Sequence, residues 1–172
     1  MKRYCLSIMI AISICACNHV SIKDIEGTYS YKTSGILAVT DQSSQTTNDI
    51  SLDNIVGTLD IKRLNNKDSV LLIFNEMLGD ITTVRAELKG DSIYMTPYKK
   101  VYSIVDQSKT GAILVEVPTV TNADYYVMVE GKGVVMDGTI IFYQQINSGK
   151  ELIEGQSRIV RATDIRTVAK KN

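Results

Sequence analysis

Ile55–Leu64 reads IVGTLDIKRL, and Ser69–Met77 reads SVLLIFNEM. In the first stretch Leu59, Ile61 and Arg63 fall on one face, and Thr58, Asp60 and Lys62 on the other. A strand turns successive side chains to opposite faces, so this alternation predicts a half-buried strand. In the second stretch Val70, Leu72 and Phe74 share one face, Leu71 and Ile73 the other. Between them lies Asn65-Asn66-Lys67-Asp68. Asn and Asp tolerate the backbone twist of a hairpin turn, so the two strands are read as an antiparallel pair.

The same pattern continues outward in both directions. Gly27–Thr40 (GTYSYKTSGILAVT) is rich in β-branched and aromatic residues and is read as one strand. Asp41–Asn54 (DQSSQTTNDISLDN) is polar and is read as a long loop. Ile81–Leu88 alternates, and Lys89-Gly90-Asp91 turns the chain. Ser92–Thr96 is a short strand stopped by Pro97, which cannot donate to a ladder. Val101–Val105, Ala112–Val120, Tyr125–Val135, Thr139–Ile146 and Ser157–Ile165 follow, with Met136-Asp137-Gly138-Thr139 the clearest hairpin turn. Tyr94, Tyr98 and Tyr102 stand four apart, as on a helix, but Pro97 and β-branched neighbours oppose that. No stretch after Cys17 keeps an apolar stripe of helical period. About nine short strands with frequent turns predict an all-β fold. An antiparallel meander barrel leaves no open edge and is preferred over a β-sandwich.

The chain opens differently. Lys2 and Arg3 precede an apolar run, Leu6–Ile14, that is too short to span a bilayer. A basic start, a short apolar run and small residues form a secretory leader. Ile14-Cys15-Ala16-Cys17 resembles the bacterial lipobox, in which the cysteine is acylated and the preceding peptide removed. Cys17 follows the small Ala16; Cys15 follows the bulky Ile14 and fits less well. The expected organisation is a lipoprotein signal peptide at 1–16, a lipidated tether at 17–26 and a barrel domain at 27–172. Each buried methylene contributes about 0.8 kcal/mol, so the two or three chains of a lipoprotein (palmitate-type acyl groups) tether stably where one would not. Asn18 is not the aspartate that holds enteric lipoproteins at the inner membrane, which by resemblance points to the outer membrane.

Composition excludes several chemistries. Cys5, Cys15 and Cys17 are the only cysteines, so the domain after them has neither a disulfide nor a cysteine metal site. The single histidine, His19, lies in the tether. Ser-His-Asp, Cys-His and histidine-metal sites are thereby excluded from the domain. Losing Lys2 and Arg3 from 19 basic residues leaves 17 against 19 acidic, with no basic stripe for nucleic acid. Lys99-Lys100 is read as a solvated strand edge and Lys170-Lys171 as a frayed terminus. Asp41, Asp49 and Asp53 share one polar loop without the spacing of a calcium loop. Glu151 and Glu154 form an acid pair by a glycine turn, read as solvation rather than glycosidase chemistry. No enzyme, metal or cofactor is expected.

Two short stretches carry a family likeness. Ile25-Glu26-Gly27-Thr28-Tyr29 resembles the lipocalin opening, with Tyr29 where a tryptophan is usual. Gly131-Lys132-Gly133 followed by Met136-Asp137-Gly138-Thr139-Ile140-Ile141-Phe142-Tyr143 resembles the late hairpin of calycin-like domains. The chain thus resembles the lipocalin-like or calycin-like barrel lipoproteins of the Bacteroides group. The likeness implies a meander barrel of eight or slightly more strands and no particular activity. Gly131 and Gly133 share one strand face, which suits a sharp bend or close contact, or else space for a ligand.

Tyrosine outnumbers phenylalanine eight to two after Cys17. Its ring buries while its hydroxyl stays wet, which suits a barrel mouth. Tyr29, Tyr94, Tyr98, Tyr125 and Tyr143 are therefore the candidate lining of a site for a small apolar or amphipathic ligand. The competing expectation is an envelope interaction protein, an assembly partner or protease inhibitor, with a filled barrel. A tyrosine-lined cavity favours the first; an interior packed with Leu, Ile, Val and Met favours the second.

Overall fold

The computed structural model describes residues 20–53, 55–77, 81–107, 111–116, 124–153 and 156–172, and side chains within them except at 41, 48, 101–126, 147–158 and 163. The leader at 1–16, Cys17 and His19 lie outside the described residues, as does Glu154. A one-turn helix, α1 (Ile22–Ile25), precedes the strands β1 (Gly27–Ser34), β2 (Ile36–Asp41), β3 (Thr47–Ser51), β4 (Val56–Arg63), β5 (Ser69–Glu76) and β6 (Ile81–Lys89). They continue as β7 (Ser92–Gln107), β8 (Gly111–Glu116), β9 (Asp124–Met136), β10 (Thr139–Ile153) and β11 (Gln156–Lys171).

Eight of these strands close a barrel in the order β1-β4-β5-β6-β7-β9-β10-β11, and β11 returns to β1. Every ladder is antiparallel, and the closing register runs from Tyr29↔Lys171 to Ser34↔Arg166. The expected all-β meander barrel is what forms. The β4–β5 hairpin sits as its alternation requires: Leu59, Ile61, Val70, Leu72 and Phe74 are all buried inside. β6 alternates exposed and buried residues along its whole length.

The two remaining hairpin pieces are insertions. β2 and β3 pair with each other and continue the sheet from β11, while β8 pairs with β7. The expected single strand over Gly27–Thr40 breaks at Gly35, whose φ is +146°. A Cβ there would lie 3.1 Å from the Ile165 backbone. Glycine thus lets the chain cross close over β11, ending β1 and starting β2 outside the closed ring. The expected long loop at Asp41–Asn54 instead contains β3. Its backbone pairs from Ile36↔Ser51 to Thr40↔Thr47, and Ile50 and Leu52 are buried. A strand needs only one face covered, so five mostly polar residues suffice at a sheet edge.

Pro97 does not end a strand. β7 runs through it, with one extra residue between the pairs Met95↔Gly131 and Tyr98↔Val129. Proline is tolerated at such a bulge because no ladder bond is required of it. The extra residue reverses the parity of the strand. Ile93 and Met95 face inward before it, and Lys100 is buried after it. The expectation of a solvated Lys99-Lys100 edge is therefore corrected for Lys100. Lys170-Lys171 is not frayed either: it pairs with Ser30 and Tyr29, and Lys171 Nζ donates to the Asp24 carbonyl at 2.9 Å.

The stretch read as tether is partly core. Ile22 and Ile25 of α1 are buried under the barrel end, and the Tyr29 hydroxyl donates to the Ile25 carbonyl at 2.8 Å. Ser21 opens the turn, with its amide and hydroxyl donating to the Asp24 carboxylate at 2.8 and 2.7 Å. These bonds hold the Asp24 carboxyl below its ordinary pKa. The core divides in two. One cluster, with Ile25, Tyr29, Leu59, Leu72 and Phe142, fills the barrel at the α1 end. The other, with Leu37, Ile50, Val129, Ile146 and Val160, packs the β2–β3 insertion against the long strands.

Candidate functional site

Between the two apolar clusters lies a polar belt. Tyr98 packs against both clusters, and Glu76, Lys100, Gln144, Thr33 and Thr167 stand beside it. Thr167 commits its one hydroxyl proton to the Gln144 amide oxygen at 2.9 Å. In the 2.7 Å contact between Thr33 and Thr167, Thr33 is therefore the donor. The Gln144 amide then donates to the Tyr98 hydroxyl at 3.1 Å. Thr33, Thr167, Gln144 and Tyr98 thus form one directed chain across the lumen. Beside it Lys100 Nζ pairs with Glu76 Oε1, and both side chains are about nine-tenths buried. Buried polar groups are costly unless bonded, and the belt bonds its members to each other.

The space left among them is small. A void of about 30 Å³ remains, bordered by Tyr31, Phe74, Glu76, Tyr98, Lys100 and Gln144. A buried water needs roughly 10–15 Å³ of such space, and small-molecule sites run to roughly 300–1,000 Å³. The described lumen therefore has room for water and not for a ligand.

The glycines explain part of the filling. A Cβ on Gly133 would meet the Phe142 ring at 2.8 Å, and one on Gly131 would meet Met95 Cε at 2.3 Å. Gly133 and Phe142 are direct cross-strand partners. The missing side chains make space that Phe142 and Met95 occupy. Of the two sequence readings, close contact is the one realised.

The candidate tyrosines divide. Tyr29 is buried at the α1 end, with Lys171 Nζ 5.8 Å from its ring centroid. Tyr98 is in the belt. Tyr94 and Tyr143 are on the outer wall, 44% and 54% exposed. Tyr125 lies on β9, and its side chain is outside the described residues. No cavity among the described residues joins Tyr29, Tyr98, Tyr94 and Tyr143.

Tyr94 and Tyr143 do meet on one surface. Across the sheet the register runs Glu87↔Tyr94, Tyr94↔Lys132, Lys132↔Tyr143 and Tyr143↔Arg166. All five residues are exposed. They form a row of alternating aromatic and charged side chains around the barrel wall. Lys132 Nζ lies 5.3 Å and Lys89 Nζ 5.7 Å from the Tyr94 ring centroid, both within cation–π reach. Lys89 also bonds Glu87 at 2.8 Å, which raises the lysine pKa. Next to this row the β7 bulge leaves a shallow groove of about 380 Å³, lined by Pro97, Glu130, Gly131, Lys132 and Tyr143.

Sequence reasoning missed Lys132, Arg166, Glu76 and Lys100. The first had a signal. A two-residue turn at Asp137-Gly138 pairs Met136 with Thr139, and counting back places Lys132 opposite Tyr143. The Gly90-Asp91 turn places Glu87 opposite Tyr94 in the same way. Lys100 had none, because its face depends on the bulge. Asp49 and Asp53 are exposed, and among the described residues no three His, Cys, Asp or Glu side chains gather as metal ligands. No family model matches the chain, and neither does any curated protein or solved structure.

Proposed function

We propose that this chain is a lipid-anchored envelope protein that recognises a partner protein through its outer wall, with a packed barrel as the scaffold. The observation that carries the reading is the size of the lumen void, about 30 Å³, set against the exposed Tyr94–Lys132–Tyr143 row. Tyrosine and arginine are enriched at interfaces, where a rigid amphipathic ring gives contact area at low entropic cost. Arg166 extends the row by one strand, and the bulge groove offers the concavity an interface anchor needs. The anchor rests on the leader pattern and on Cys17. No catalytic residue is assigned.

Native mass spectrometry of the purified protein tests the choice between wall and lumen. The expected spectrum holds the chain with its acyl groups and no other bound small molecule. A stoichiometric apolar ligand that survives desolvation would return the function to the lumen. Photo-crosslinking from Tyr143 in living cells, with a control position at Lys62 on the opposite wall, tests the surface. Adducts confined to the Tyr143 position are expected; equal adducts at both positions would overturn the assignment of the row.

A further inference from the structure

The anchor reading has a geometric consequence. Three peptide steps separate Cys17 from Val20, the first described residue. An extended chain spans at most about 3.3–3.6 Å per residue, so Val20 would stand within roughly 11 Å of an acylated Cys17. Val20 packs against the core at the α1 end of the barrel. The tether exit at that end would then stand close to the bilayer surface.

The residues around the exit suit such a surface. Val20 and Ser21 emerge beside a groove of about 450 Å³ rimmed by Lys23, Arg63, Lys67 and Lys89, with Asp68 in its lining and Glu87 bonded to Lys89 at 2.8 Å. All four basic side chains are exposed. They come from four separate places in the chain: α1, the end of β4, the following turn and the end of β6. The closed barrel brings their termini together at one rim.

We infer that the basic rim around the tether exit docks on anionic lipid headgroups, fixing the barrel upright with its β2–β3 and β8 end facing away from the membrane. This rests on Cys17 being acylated. The acyl chains hold the protein at the surface, and the rim sets its orientation. A lysine or arginine near an anionic surface contributes on the order of fivefold in binding, falling off within a Debye length of ~8–10 Å. The short tether keeps the rim inside that range. Held this way, the barrel strands stand steeply to the bilayer and the Tyr94–Lys132–Tyr143 row lies on the side wall, open to a neighbour in the envelope.

The test uses the full chain, processed and purified from cells, with mass spectrometry of the Cys17 peptide. Acylation uses the Cys17 sulfur and the leader carries Cys5 and Cys15 away, so an introduced cysteine is the one free thiol. A fluorophore is placed at Asn66→Cys in the exposed turn by the rim, or at Thr46→Cys in the exposed β2–β3 turn. The protein is reconstituted into phosphatidylcholine vesicles with and without phosphatidylglycerol, carrying a headgroup-linked quencher. Strong quenching at residue 66 and weak quenching at 46 are expected in anionic vesicles. Replacing Lys23, Arg63, Lys67 and Lys89 by glutamine, with the circular dichroism spectrum unchanged, should shrink the 66:46 ratio at least fivefold. An acylated protein with equal quenching at both positions, or a ratio indifferent to lipid charge, overturns the inference alone. An unacylated Cys17 overturns the anchor reading and the orientation with it.

Discussion

Lys100 and Glu76 meet inside the barrel with each side chain about nine-tenths buried. Removing one partner of such a pair strands the other charge in a medium that solvates it poorly, at a cost of about 3–5 kcal/mol. Lys100→Met should therefore lower the urea midpoint by that equivalent, whereas Glu76→Leu combined with Lys100→Met should recover most of the loss. Equal losses in the single and double variants would show that packing, not charge, governs the site. Tyr29 makes a different kind of test. Its ring is buried, its hydroxyl donates to the Ile25 carbonyl, and desolvation raises its pKa above the ordinary phenol value. A raised folded-state pKa gives stability that is fully present below the unfolded value of ~10 and is lost as pH climbs through the folded value. Stability should thus fall on the alkaline side, above about pH 10. Tyr29→Phe should cost about 1 kcal/mol at neutral pH and flatten that alkaline fall. Denaturant titrations of both proteins between neutral and alkaline pH check it; parallel curves would remove Tyr29 as the cause.

Strand β7 shows how one extra residue directs the interior. The bulge between Met95 and Tyr98 hands the inward face from odd to even positions. Deleting Pro97 would restore the first parity, turning Tyr98 and Lys100 to solvent and Lys99 into the lumen. The deletion should abolish the cooperative thermal transition, a loss well beyond that of Lys100→Met. A deletion protein that melts as the parent does would refute the parity argument. Gly133→Ala tests the neighbouring strand: its new Cβ would press on Phe142 at 2.8 Å, a strain of about 1–3 kcal/mol. These cases also mark what was legible. β4, β5 and β6 were readable because their alternation is unbroken and one face is fully buried. β3 was not, because its five residues include only one bulky apolar side chain, Ile50. α1 is a single turn, too short for any periodicity, though Ser21 and Asp24 stand at capping-box spacing. Among the tyrosines, residue type gave amphipathic character but not direction. Tyr94 and Tyr98 are four apart and would share a face on a regular strand, yet the bulge sends them to opposite sides.

At the scale of the molecule, the polar belt divides the interior into two apolar clusters held by different means. The cluster under α1 is enclosed by a ring of eight strands in which each has a ladder partner on both sides. The other cluster depends on the β2–β3 hairpin, and among the described residues β3 has one ladder partner, β2. Cooperativity follows enclosure, because opening a closed ring breaks two ladders while lifting an edge hairpin breaks one. The hairpin should therefore open sub-globally, at a lower free energy than the ring. Native-state hydrogen exchange separates the two events, and a substitution confined to the α1-end cluster identifies them. Ile61 is buried there, away from the hairpin. Ile61→Val should cost about 0.5–1.5 kcal/mol, which speeds exchange at globally protected β4, β5 and β6 amides by about two- to tenfold. Amides of β2 and β3 should exchange at their original rates, since the α1-end cluster stays intact when the hairpin lifts. If β2 and β3 accelerate in step with β4, the two clusters unfold as one unit and the belt couples them instead of dividing them.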